Sequence, residues 1–127
     1  MAKLIDSSVW IALYLEKDAQ HAKAKRFFDT LSEKVYLPAY VVSEVASVLT
    51  YKHSKAQADT FVEFVMTHPD IEWLESQSYD DAVYFRSIPV RLSFIDITLV
   101  RLATALKVEL VTFDRQLERL ARAGGKK

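Results

Sequence analysis

Cysteine is absent from this 127-residue chain, which removes disulfide frameworks, thiolate zinc sites and cysteine nucleophiles together. Glycine occurs twice and proline three times, too seldom for an interdomain linker or a low-complexity stretch. No internal repeat is visible. Neither charge sign prevails: 17 basic residues balance 17 acidic ones, so there is no polybasic tail and no acidic disordered one. Any affinity for a phosphate backbone must therefore come from a local patch or from bound metal ions. Long apolar runs are missing as well. The longest, Val9 to Leu15, falls far short of the roughly 20 residues that span a bilayer, and the N-terminus lacks a charged, apolar and small-residue signal pattern. A cytoplasmic location is the expectation.

What is present is apolar. Half of the residues are hydrophobic, enough at this length to bury one core without staples. A single domain over residues 1–123 is expected, with a flexible C-terminal tail over 124–127, Gly124-Gly125-Lys126-Lys127.

Lys3-Leu4-Ile5 reads as a short strand that stops at Asp6-Ser7-Ser8, after which Val9 to Leu13 continue as a helix. From Ala19 to Leu31 the positions Ala22, Phe27, Phe28 and Leu31 approximate helical spacing. Val35 to Pro38 is a second strand ended by proline, followed by a helix from about Tyr40 to His53. Ser54-Lys55-Ala56-Gln57 has capping-box form and opens a helix with a Phe61, Phe64, Val65 stripe. Ile71 to Leu74 is a third strand, and Ser78 to Asp81 is a capping signal for a helix through Ser87. Phe94 to Leu106 is a long amphipathic helix, Glu109 to Thr112 the last strand, and Arg115 to Ala123 the last helix. Strands separated by one or two helices predict an α/β three-layer sandwich, a mostly parallel sheet of four to five strands flanked by helices. Ligands in such sheets gather beyond the carboxyl ends of the strands.

Four acids matter against that frame. Asp6 and Asp114 stand where a strand hands over to a helix, a position open both to a helix cap and to a functional carboxylate. Glu44 lies one turn from Val41 and from Val48, and Val100 and Ala103 continue the face of Asp96. A carboxylate on an apolar face needs a basic partner, a proton or a bound cation. No lysine or arginine lies one turn before either acid, although Arg101 or a remote residue is open as a partner.

The segments Leu4-Ile5-Asp6-Ser7-Ser8, Val42-Ser43-Glu44-Val45, Leu92-Ser93-Phe94-Ile95-Asp96 and Val111-Thr112-Phe113-Asp114 resemble, in order, the four motif blocks of PIN-domain ribonucleases. The resemblance is strongest to the toxins of VapBC-type toxin-antitoxin pairs and covers essentially the whole chain. It implies a PIN-like fold and a divalent-metal-dependent endoribonuclease. Asp6, Glu44, Asp96 and Asp114 match the metal-binding quartet, with Ser7 and Thr112 in supporting positions. Ser8 stands where many relatives carry asparagine, and Ile97 and Thr98 follow Asp96 where small residues are frequent.

One or two Mg²⁺ or Mn²⁺ ions, an RNA substrate, a small antitoxin and a homodimer are what the resemblance implies. Hard cations favour carboxylate oxygen, and metal-assisted hydrolysis of a phosphodiester is the corresponding chemistry. Arg86, Arg91 and Lys52 are open to RNA phosphates or to plain solvation. Trp10, Phe61, Phe64 and Trp73 are open to base stacking or a dimer contact but fit core packing better. The alternative is a catalytically inactive module of the same fold that binds RNA or protein.

Overall fold

The computed structural model describes residues 1–125. The chain runs β1 (Lys3–Ile5), α1 (Ser7–Tyr14), α2 (His21–Thr30), β2 (Val35–Pro38), α3 (Ala39–Lys52), α4 (Lys55–Thr67), β3 (Ile71–Leu74), α5 (Ser78–Ser87), α6 (Phe94–Leu106), β4 (Glu109–Val111) and α7 (Arg115–Arg122). The four strands form one parallel sheet in the order β3-β2-β1-β4, as the alternation of strands and helices predicts. Leu4, Ile5 and Leu37 are completely buried, the mark of strands covered on both faces.

Chain direction explains the layers. From β1 to β2 to β3 the chain steps one way along the sheet, and from β3 to β4 it returns past both. Parallel crossovers are right-handed almost without exception, so the outward and return connections place their helices on opposite faces. The packing agrees: α1 lies against α2 and α3, and α3 against α4, while α6 lies against α5 and α7. The reversal leaves a crevice beyond the carboxyl ends of β1 and β4, where open α/β sheets bind ligands.

Several local expectations are revised. Ala22 is exposed and Ala24 buried, because Ala24, Phe27, Phe28 and Leu31 follow helical periodicity whereas Ala22 and Phe27, five apart, do not. Ser54 Oγ accepts from Gln57 N at 3.0 Å, but the Gln57 side chain donates to Tyr14 O at 2.7 Å instead of returning to Ser54; half of the capping box is made. Trp10 and Phe61 are buried together, with ring centroids 5.6 Å apart, whereas Phe64 and Trp73 are 38% and 44% exposed. Trp73 is on β3, the sheet edge. Its indole N–H donates to Val65 O at 2.9 Å, which holds the ring along α4.

At the chain end, the glycine pair that heads the expected tail forms a turn. Gly124 N donates to Ala121 O and Gly125 N to Leu120 O, each at 3.0 Å, the paired bonds of a Schellman cap. Gly125 is buried with φ +81°, and a Cβ there would collide with the Tyr84 hydroxyl. Lys126 and Lys127 lie outside the described residues.

Candidate metal centre

Asp6, Glu44, Asp96 and Asp114 line one concavity of about 210 Å³, with Ser7, Ser8 and Ile11 completing its wall. Each acid arrives on a different element. Asp6 directly follows β1, Glu44 sits in α3, Asp96 in the first turn of α6, and Asp114 just before α7.

The two strand-end aspartates are held differently. Asp6 occupies the N-cap position of α1 but makes no side-chain cap bond. Its Oδ2 accepts from Ser8 Oγ and Thr112 Oγ1, both at 2.8 Å, and its backbone N–H donates to Val111 O at 2.9 Å. Asp6 is thus tied by its backbone to the end of β4 and by its side chain to the residue after it, and only 5% of it is exposed. Asp114 does cap its helix: Oδ1 accepts from Gln116 N at 2.9 Å and Leu117 N at 3.1 Å. Thr112 serves both acids, because its Oγ1 also accepts from Asp114 N at 3.1 Å. Ser7 Oγ is buried and without a hydrogen-bond partner, so the hydroxyl that fixes Asp6 from α1 is that of Ser8.

Glu44 and Asp96 are half-buried. The buried stripe of α3 is Val41, Val45 and Leu49, so Glu44 and Val48 flank it, at the border of the apolar face rather than within it. Asp96 is capped from behind by Ser93, whose Oγ accepts from Asp96 N at 3.1 Å. Its carboxyl titrates above the ordinary range, first because burial penalises the charged form and then because Asp6, Asp114 and Glu44 repel it; the Ser93 hydroxyl opposes the shift. Every charge that acts on it there is another carboxylate.

Among the described residues, none of the four acids takes part in an ion pair. Arg101 instead meets Asp81, with Nε at 2.7 Å and Nη2 at 2.6 Å from Oδ1, and reaches Gln77 Oε1 at 2.9 Å. Asp81 is 2% exposed and does not cap α5, as its capping signal had suggested; Gln77 holds that position without a side-chain bond. Among the described residues no three acidic or histidine side chains are drawn together as a finished metal cage. The cluster is open and electronegative, and no cation among the described residues pairs with it. That donor set, all oxygen, suits a hard divalent ion that retains water.

The basic residues stand apart. Lys52 is eight residues beyond Glu44, about 12 Å along α3, and lines another concavity with Tyr14, Asp18 and His53. Arg86 and Arg91 are exposed and outside the acidic concavity. The histidines make local bonds: His21 Nδ1 lies 2.7 Å from Ala12 O, His53 Nδ1 lies 2.9 Å from Ser54 Oγ, and His68 Nδ1 accepts from Asp70 N at 3.1 Å.

Comparison with known proteins agrees with this geometry. Among solved structures, the chain is similar to VapC20 of Mycobacterium tuberculosis, described as a sarcin-ricin loop cleaving toxin, with a TM-score of 0.82 at 18% sequence identity over 92% of this chain and 93% of that one. Identity that low shows a shared fold. No curated protein matches the sequence. The model of the PIN domain family matches residues 3–123, essentially the full set of elements that carry the four acids, and the chain belongs to the PIN domain family.

Proposed function

We propose that this chain is a divalent-metal-dependent endoribonuclease and the toxin of a toxin-antitoxin pair, with Asp6, Glu44, Asp96 and Asp114 holding one or two Mg²⁺ or Mn²⁺ ions. The observation that carries the reading is the convergence of four carboxylates from four elements on one concavity, with no ion pair to any of them among the described residues. Such a cluster opposes its own ionisation unless a cation joins it. Bound there, a divalent ion lowers the pKa of a water and stabilises charge on a phosphate.

The chain's own residues position and orient. Ser8 and Thr112 hold Asp6, and the first turn of α7 holds Asp114. Their hydrogen bonds fall on one oxygen of each carboxylate, Oδ2 of Asp6 and Oδ1 of Asp114. Second contacts of this kind set the direction of ligand lone pairs. A buried Ser7 Oγ without a hydrogen-bond partner, in a residue of the wall, supports a role for it in orienting a carboxylate or a phosphate oxygen. Glu44 and Asp96 face the strand-end pair from the two helix layers.

RNA as substrate and a toxin role are supported by family membership and by the described activity of the structural neighbour. A small antitoxin and a homodimer belong to the same reading, as does a cytoplasmic location; among the described residues no helix is long and apolar enough to cross a membrane. The test is cleavage of a mixed RNA pool by purified protein with Mg²⁺ or Mn²⁺, with chelator, and by Asp96→Asn. Cleavage is expected in the first case, with a loss of at least a hundredfold in the other two. Equal cleavage in all three would sink the metal-nuclease reading, and no cleavage in any would favour the inactive module.

A further inference from the structure

We infer that Lys23 is a phosphate-binding residue of the cleavage site: a cation held over Phe113 that takes a backbone phosphate of the RNA flanking the one at the four acids. The inference rests on the nuclease reading and adds to it a contact with the strand outside the metal ligands.

The turn between β4 and α7 is the first ground. Thr112, Phe113 and Asp114 are consecutive. Thr112 Oγ1 donates to Asp6 Oδ2 at 2.8 Å and accepts from Asp114 N at 3.1 Å, and Asp6 and Asp114 both line the acidic concavity. Phe113 is half-buried and packs against the core, so its ring stands on a segment fixed on both sides. Lys23 of α2 places Nζ 4.9 Å from the centre of that ring. One Cα step of about 3.8 Å, and a ring centre about 4 Å from its own Cα, keep the ammonium within about 13 Å of the Asp114 Cα. Successive phosphates of a nucleic acid strand lie closer together than that.

Availability is the second ground. Lys23 is exposed and, among the described residues, takes part in no ion pair. Lys34 also stands near a ring, Tyr36 at 5.6 Å, but Glu72 holds its ammonium at 2.7 Å. Lys52 lines a different concavity. At an exposed site a cation gains little from a ring, whereas a phosphate oxygen offers a charge-assisted hydrogen bond. The ammonium of the free chain is therefore placed by Phe113 without being used up by it.

A fixed backbone is the third ground. His21 Nδ1 lies 2.7 Å from Ala12 O in α1, Gln20 N donates to Asp18 Oδ1 at 2.8 Å, and Ala24 is completely buried. The first turn of α2 is thus tied down around Lys23, which lowers the ordering cost of a contact made there. The need for such a contact follows from charge. Four carboxylates repel a polyanion, and a chain with no net charge has no general attraction to offset them. A cation anchored beside the site supplies that attraction locally.

The test is fluorescence anisotropy of a labelled RNA oligonucleotide of mixed sequence, titrated with the full chain in Ca²⁺ between about 50 and 200 mM salt. Lys23→Gln should weaken binding about threefold or more at the low end, and the slope of log affinity against log salt should become shallower by about 0.7. Lys23→Arg should keep the wild-type slope. Lys25→Gln, an equal loss of charge at an exposed position of the same helix, should leave it unchanged. Mn²⁺ affinity of Lys23→Gln in calorimetry should equal that of the wild type. No binding by the wild type, an unaltered slope in Lys23→Gln, or the same fall in Lys25→Gln overturns the contact. Weakened Mn²⁺ binding with the wild-type RNA slope retained makes Lys23 a support of the Thr112–Asp114 turn and overturns it equally. A cleavage assay in Mg²⁺ separates the two ideas. A Lys23-dependent slope without cleavage upholds the contact against the nuclease reading, and cleavage with a slope indifferent to Lys23 does the reverse.

Discussion

Asp6 and Asp114 look alike in the sequence, each an aspartate between a strand and a helix, yet the structure uses them differently. Asp6 leaves α1 without a side-chain cap and is held by Ser8 and Thr112, whereas Asp114 caps α7. Sequence alone could not separate the two roles, because the hydroxyl that decides for Asp6 comes from Thr112, 106 residues away. Ser8 was legible only as a departure from a family pattern; nothing local marks it as the partner of Asp6. Asp96 carries a prediction at this scale. Its folded-state carboxyl titrates above the ordinary value of 3.8, so the folded chain binds that proton more tightly than the unfolded chain. Stability contributed by this proton is full below the unfolded value and is lost as pH rises through the raised one. In chelator, Asp96→Asn should therefore melt higher than wild type at pH 7, and the gap should close toward pH 4. A gap that stays constant or reverses across thermal melts in that range would contradict the account.

At the scale of elements, most helices and strands were legible because their apolar positions repeat with the period of the element they form. Strands β2 and β3 and helices α6 and α7 fall within a residue or so of the expected bounds. Misreadings came where a side chain finds a distant partner. Ser78 to Asp81 has the look of a capping signal, but no side chain caps α5, and Asp81, in its first turn, enters a buried pair with Arg101, 20 residues on, that ties α5 to α6. The same pairing removes Arg101 as a counterion for Asp96 and leaves that acid to its carboxylate neighbours. Breaking a buried pair strands one charge, at a cost of about 3 kcal/mol. Asp81→Ala should lower stability by about that amount in denaturant titration. Glu118→Ala, which removes a 3.5 Å exposed pair with Arg122, should cost no more than about 0.5 kcal/mol. Similar losses for the two would show that the Asp81 pair does not secure α5.

Across the whole molecule, the order β3-β2-β1-β4 and the reversal of the chain beyond β3 decide where chemistry can sit. The alternation of elements announced a parallel sheet, and the carboxyl-end rule then aimed Asp6 and Asp114 at its cleft. The strand order itself was not legible, since short strands of similar composition do not say which neighbours they choose. Glu44 and Asp96 were read from the sequence as acids on apolar faces; Glu44 instead borders its face, and the fold brings both to the same concavity as the strand-end pair. The central claim is that the four acids act as one cation site, and calorimetric titration of the chain with Mn²⁺ tests it most directly. Asp6→Asn, Glu44→Gln, Asp96→Asn and Asp114→Asn should each weaken Mn²⁺ binding about tenfold or more, while Asp59→Asn, on the exposed face of α4, leaves it unchanged. Mn²⁺ affinity that is the same in all five variants as in the wild type would contradict the claim.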